Sequence, residues 1–154
     1  MAFSGTDNYI CTPFKLGLLT GSHNFASGGD TFKIALYDNT ASPAASTTAY
    51  PGNGVGGELA ATGGYTQGGE SLTANAATTS GTTAYVDWTS DPSWDNSGSG
   101  ATFTAYGALI YNDTHASDEA VMWIDFGGAK AVSNGTFTVT MPTADASNAI
   151  LRLA

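Results

Sequence analysis

The chain has little charge, and least of all positive charge. Of its 154 residues only 4 are Lys or Arg, against 13 Asp or Glu, for a net charge of −9. Charged residues make up 11%, under half of the roughly 25% usual in soluble domains. A surface this acidic repels phosphates, so a nucleic-acid partner is not expected. Cysteine is reduced to Cys11, which excludes an intrachain disulfide. A buried structural thiol is the plain expectation for it. A nucleophile would need a base, and His23 and His115 are the only histidines. The segment MAFSGTDNYICTPF has neither a basic stretch nor an apolar run, so no signal peptide is read there. No stretch approaches the roughly 20 apolar residues of a membrane span. The expectation is a protein made in the cytoplasm that stays there, or leaves by lysis or within an assembly. On that reading the Asn-x-Thr triplets at Asn112 and Asn134 are not glycosylation sites.

What is present suits a folded domain. The apolar fraction is 42% and the aromatic fraction 11%, too high for a disordered chain. At this length one domain, residues 1–154, is expected, burying roughly 70% of the unfolded chain's surface.

The first element reads as a helix. Thr12 suits an N-cap, Pro13 the first helical position and Gly21 the C′ position. Phe14 and Leu18 then share a face, with Leu16 and Leu19 at its edges. A strand alternating Phe14, Leu16 and Leu18 is the rival reading. From residue 31 the period becomes two. TFKIALY puts Phe32, Ile34 and Leu36 on one face, and Asp38-Asn39 supplies a turn. Residues 39–70, with Pro43, Pro51 and many glycines, read as a loop or arm with a weak strand or two.

Strands follow in series: a short one near 70–76 around Leu72, then 82–89 with Ala84, Val86 and Trp88 alternating. Residues 101–112 carry Phe103, Leu109 and Tyr111 on one face. AVMWIDF at 120–126 is apolar throughout, which suggests a central strand or one buried on both faces. FTVTM at 137–141 points Phe137, Val139 and Met141 inward, and residues 149–154 close the chain. SDPSWDNSGSG at 90–100, DTHASDE at 113–119 and GGAKAVSNG read as loops or turns. About seven strands separated by polar turns predict a mainly β fold. The form expected is an antiparallel β-sandwich or jelly roll with one short N-terminal helix.

Chemical motifs are weak. Gly52-x-Gly54-x-x-Gly57 matches a dinucleotide fingerprint in form, but Pro51 precedes it and more glycine follows, where the motif needs a strand and a helix. His23 and His115 are far apart in sequence, without the i, i+4 spacing of a helical zinc site. His115 with Asp113, Asp118 and Glu119 reads as a solvated turn before a cation site. Asp91 and Asp95 are too sparse for a calcium loop. Glu58, Glu70 and Glu119 are the only glutamates, and nothing selects two of them as a hydrolytic pair. No cofactor, metal or catalytic residue is expected. Trp88 and Trp123 lie in strands and belong to the core. Trp94 lies in a polar loop, so Trp94, with Tyr65, is the candidate exposed anchor for a protein or sugar contact.

Several segments together resemble a family of small virion proteins encoded by tailed bacteriophages: PFKLGLLTGSHNF at 13–25, TFKIALYDN at 31–39, GGYTQGG at 63–69, ATFTAYGALIYND at 101–113 and FTVTMPTADASNAILRLA at 137–154. The resemblance lies in their combination and order. It implies a structural role in the particle, within which a capsid decoration or cement protein is the leading expectation. Its partner would be the major capsid protein, it would form a homotrimer, and it would sit on the virion's capsid surface. The resemblance implies no catalytic residues. The physical reading adds that 39–70 could reach a neighbouring subunit by adding a strand to its sheet. The alternative is a tail-fibre or receptor-binding tip that recognises host-surface glycan through Trp94 and Tyr65. A small hydrolase is the third reading, but no nucleophile–base pair is visible and few cations are present to stabilise an oxyanion.

Overall fold

The computed structural model describes residues 2–74 and 76–154. Met1, in the segment read as no signal peptide, and Asn75, within the expected 70–76 strand, lie outside the described residues. The fold is mainly β, antiparallel and sandwich-like, with one short helix.

The principal sheet holds β1 (Tyr9–Ile10), β2 (Phe32–Tyr37), β3 (Glu70–Leu72), β7 (Ala101–Asn112) and β8 (Glu119–Gly135) in the order β1-β8-β7-β2-β3. A three-stranded sheet joins β4 (Thr78–Ser80), β5 (Thr83–Val86) and β10 (Leu151–Leu153) in the order β10-β5-β4. A two-stranded ladder pairs β6 (Ser93–Trp94) with β9 (Phe137–Thr138).

Register explains why the principal sheet is apolar on both sides. Ile34 pairs with Ile110, which pairs with Met122, whereas Ala35 pairs with Leu109 and Leu109 with Trp123. Side chains alternate across a strand, so both faces receive large apolar groups and both must be covered. One face is covered by the helix α1 (Thr12–Thr20) and the three-stranded sheet. A run of rings joins them: Phe14 to Phe25 at 6.1 Å between centroids, Phe25 stacked on Phe32 at 4.7 Å, and Phe32 edge-on to Trp88 at 5.7 Å. Burying an aromatic side chain contributes about 4–6 kcal/mol before entropy is charged.

The other face is covered by the segment 39–70. Tyr50 stacks on Tyr111 at 4.4 Å and 8°, and Trp123 donates from Nε1 to Thr47 Oγ1 at 2.8 Å. Ala41, Glu58, Leu59 and Tyr65 are buried. The expected loop is therefore a loop, touching the sheet through isolated bridges at Tyr37–Glu58 and Ala49–Glu119. Ala41, Leu59 and Tyr65 are spent on the chain's own sheet, while Val55 is 51% exposed.

Three boundaries differ from expectation. The residue capping α1 is Cys11, extended at φ −67 and ψ 139, and no side chain caps the helix, so Thr12 is not the N-cap. Gly21 closes the helix at φ 74, as the sequence indicated. GGAKAVSNG is not a turn. Gly107 pairs with Asp125 and Ala105 with Lys130, so the residues 126–129 bulge out opposite Tyr106, and β8 then resumes to Gly135. Gly127 and Gly128, at φ 72 and 123, supply backbone conformations that this bulge uses. Lastly, β6 lies inside the expected 90–100 loop, and β9 covers only the start of the expected 137–141 strand. Val139 N still donates to Pro92 O at 3.0 Å, and Met141 is buried as its alternation predicted.

Candidate functional site

The surface feature that the fold does not consume is an apolar groove between α1 and the three-stranded sheet. Its volume is about 310 Å³. Ile10, Phe14, Leu18 and Phe25 form one wall, and Ala84, Val86, Leu151 and Leu153 the other. A nine-residue helix is too short to be stable alone. It is held by Phe14, which is fully buried and lies 4.7 Å from the His23 ring. Fixing Phe14 inward leaves the rest of this leucine-rich helix to solvent: Leu16 is 62% exposed and Leu19 87%. Leu153, on the opposite wall, is 66% exposed. Scattered exposed leucines such as Leu16 and Leu19 need no explanation, but the exposed Leu18 and Leu153 line a formed apolar groove.

Two of the chain's four basic side chains, Lys15 and Arg152, line this groove. Among the described residues neither has a carboxylate within ion-pair distance, whereas Lys33 pairs with Asp113 at 3.1 Å. Arg152 instead donates to the Ser147 carbonyl and acts at longer range on Asp145.

The sequence-selected aromatics are elsewhere, and buried. Trp94 is 2% and Tyr65 3% exposed. The expectation that Trp94 is an exposed anchor is thus overturned. The polar loop around it forms the β6–β9 ladder, which seats the indole against Phe137 at 6.0 Å and Tyr65 at 6.2 Å. Both residues also border a polar cleft of about 470 Å³ that includes Glu70, Asp95 and Asn96.

The histidines, distant in sequence, come together. Their rings are 5.9 Å apart. His23 Nε2 lies 2.8 Å from Glu119 Oε1, and His23 Nδ1 lies 2.9 Å from Asn112 Nδ2. Asn112 Oδ1 accepts from the Thr114 and His115 amides, so its Nδ2 is the end that faces His23 and Asp30. An amide nitrogen only donates, so His23 accepts at Nδ1 and donates from Nε2 to Glu119. Every member of this cluster has a partner, and no group of three or more possible ligands among the described residues is arranged to hold a metal ion. It joins α1, β7 and β8 structurally.

Glu58 is a second acidic centre, and it is buried. Its Oε1 accepts from Tyr65 Oη at 2.8 Å and Gly68 N at 2.7 Å, and its Oε2 from Tyr50 Oη at 2.8 Å and Gly54 N at 2.6 Å. Burial, and then the Glu58 charge, push the Tyr65 phenol well above its ordinary range. The Gly52–Gly57 run wraps this carboxylate. Cys11 is fully buried, and burial pushes its thiol up to about 12, with Glu119 adding to the rise. Asp91 Oδ1 is occupied by the Met141 amide at 2.7 Å.

Sequence reasoning missed both the groove and the Glu58 knot. Lys15 and Arg152 stand far apart in the chain and give no joint signal. The recurrence of Tyr and Gly on both sides of Glu58 was the only hint of the knot. No family model, no curated protein and no solved structure matches the chain.

Proposed function

We propose that this is a non-catalytic, protein-binding module of a tailed-phage virion, a decoration or cement protein that seats on the major capsid protein. The observation that carries the protein-binding part is the apolar groove with its exposed leucines on both walls. A rigid sandwich-like body suits a protein that must bind a shell without deforming. The segment resemblance carries the virion part and, with it, the homotrimer and the capsid-surface location. The apolar groove supports contact with the shell on the side of α1 and the three-stranded sheet.

The test is immunogold electron microscopy of intact virions, combined with incorporation of Leu18→Glu and Leu153→Glu variants. Label over the head, lost with these variants while their melting temperature is unchanged, is the expected result. Label at the tail tip would turn the reading to receptor binding. The glycan alternative rested on exposure of Trp94 and Tyr65. Both are buried, so no observation favours it.

A further inference from the structure

We infer that the groove between α1 and β10 takes an extended apolar segment of the partner protein that carries carboxylates beside its apolar side chains. This rests on the docking reading above and names the chemistry of the occupant.

Charge complementarity carries the inference. On a chain of net charge −9, half of the four basic side chains border one apolar groove. Chance placement would leave the groove's rim acidic like the rest of the surface. Lys15 is exposed on α1, and Arg152 is exposed on β10. They stand on opposite walls: Lys15 has no carboxylate partner among the described residues, whereas Arg152 alternates with Leu151 and Leu153 and donates to the Ser147 carbonyl. A basic or neutral segment would gain only the apolar contact. An acidic one also gains a pairing with Lys15 at the rim, with Arg152 as the second cation nearby, and there charge sets specificity and on-rate more than affinity.

The form of the occupant follows from the sheet. β10 is the terminal strand of the order β10-β5-β4 and takes no strand on its outer side. An exposed strand edge is a template for one more extended segment. Leu151 and Leu153 share one face of β10, and the first is buried while the second is 66% exposed. An added segment would therefore find an apolar path beside Leu153 leading toward Leu18.

A second copy of this chain is the competing occupant, and the experiment separates it. Two short fluorescent peptides with the same alternating Leu/Ile strand are titrated against the full chain, one flanked by Asp and one by Lys. The acid-flanked peptide is expected to bind more tightly, with an affinity that weakens as salt rises. The Lys15→Glu/Arg152→Glu double variant should lose about tenfold of that affinity and gain for the Lys-flanked peptide. Leu153→Asp should weaken both peptides. Equal binding of the two peptides, or binding of neither, overturns the inference. So does a dimer of the native chain in sedimentation that Leu18→Glu dissolves. Virion incorporation distinguishes the two levels. If Leu18→Glu and Leu153→Glu abolish it but the charge reversal does not, docking stands and the acidic occupant falls. If none of the variants changes it, both fall.

Discussion

The Tyr65 hydroxyl donates to Glu58 Oε1 at 2.8 Å and accepts from the backbone amide of Leu36 at 3.0 Å. One oxygen thereby fastens the 39–70 loop to strand β2. Such a position is costly to lose, because a buried donor without a partner costs about 1–3 kcal/mol. Tyr65→Phe strands the Leu36 amide and removes one of four donors to Glu58. Chemical denaturation should show a loss of about 1–3 kcal/mol. Glu58→Gln should cost at least as much, since its new NH₂ faces groups that themselves donate. A loss below the error of the measurement for both would mean that the loop is not held through this carboxylate.

Gly17 lies where α1 crosses the His23 ring. A Cβ there would overlap the imidazole and stand 3.1 Å from Glu119 Oε1. Alanine is the better helix former by about 1 kcal/mol, yet Gly17→Ala should destabilise by about 1–3 kcal/mol through overpacking. The sign decides between propensity and packing. In a double-mutant cycle with His23→Ala the two losses should not add, because the smaller side chain removes the clash.

Trp94→Ala should be a stability variant and not a binding variant. The indole is buried between Tyr65 and Phe137, and truncating a buried Trp costs about 3–5 kcal/mol. Thermal denaturation checks this. A variant with an unchanged melting temperature would return Trp94 to the surface.

Asp87 is buried, and desolvation raises its pKa above the ordinary 3.8, against the lowering effect of the Trp88 and Ile150 amides that it accepts. The folded chain therefore holds this proton at a pH where the unfolded chain has released it. Stability must fall as pH rises through the window that starts near 3.8 and ends at the raised folded value. Glu70, raised by burial, acts with the same sign. Asp7 and Asp145 are lowered, by hydrogen bonds from Tyr9 and Asn148 foremost, so they lose stabilisation only at more acid pH and do not mask the effect. Asp87→Asn should flatten the slope of denaturation free energy across this window. An unchanged slope would remove Asp87 as its source.

Cys11 should resist thiol reagents in the native protein. It is fully buried and its thiol is pushed up to about 12, whereas reactivity belongs to the thiolate. Labelling at neutral pH should require denaturant. Fast labelling of the native chain would show that this end of α1 opens.

Much of the β framework was legible because local period and tertiary burial agree there. The alternation of Phe32, Ile34 and Leu36 and the span 101–112 match β2 and β7. Gly21 ended the helix as its φ requires. Where a local signal was read alone, it misled. Gly127-Gly128 is turn chemistry in sequence, yet pairing with β7 on both sides makes it a bulge within β8. Trp94 sits among polar residues, yet its ladder with Phe137 draws it inward.

The amino-acid order by itself determined the mainly β class, the short helix near residues 12–20, the acidic surface and the unpaired thiol. These depend on composition and on neighbours a few residues apart. Only the tertiary structure decided that segment 39–70 covers the sheet, that His23 meets Glu119 and His115, and that Lys15 and Arg152 flank one groove. Those are contacts across most of the chain's length, set by which faces remain apolar once the strands have paired, and no local pattern encodes them.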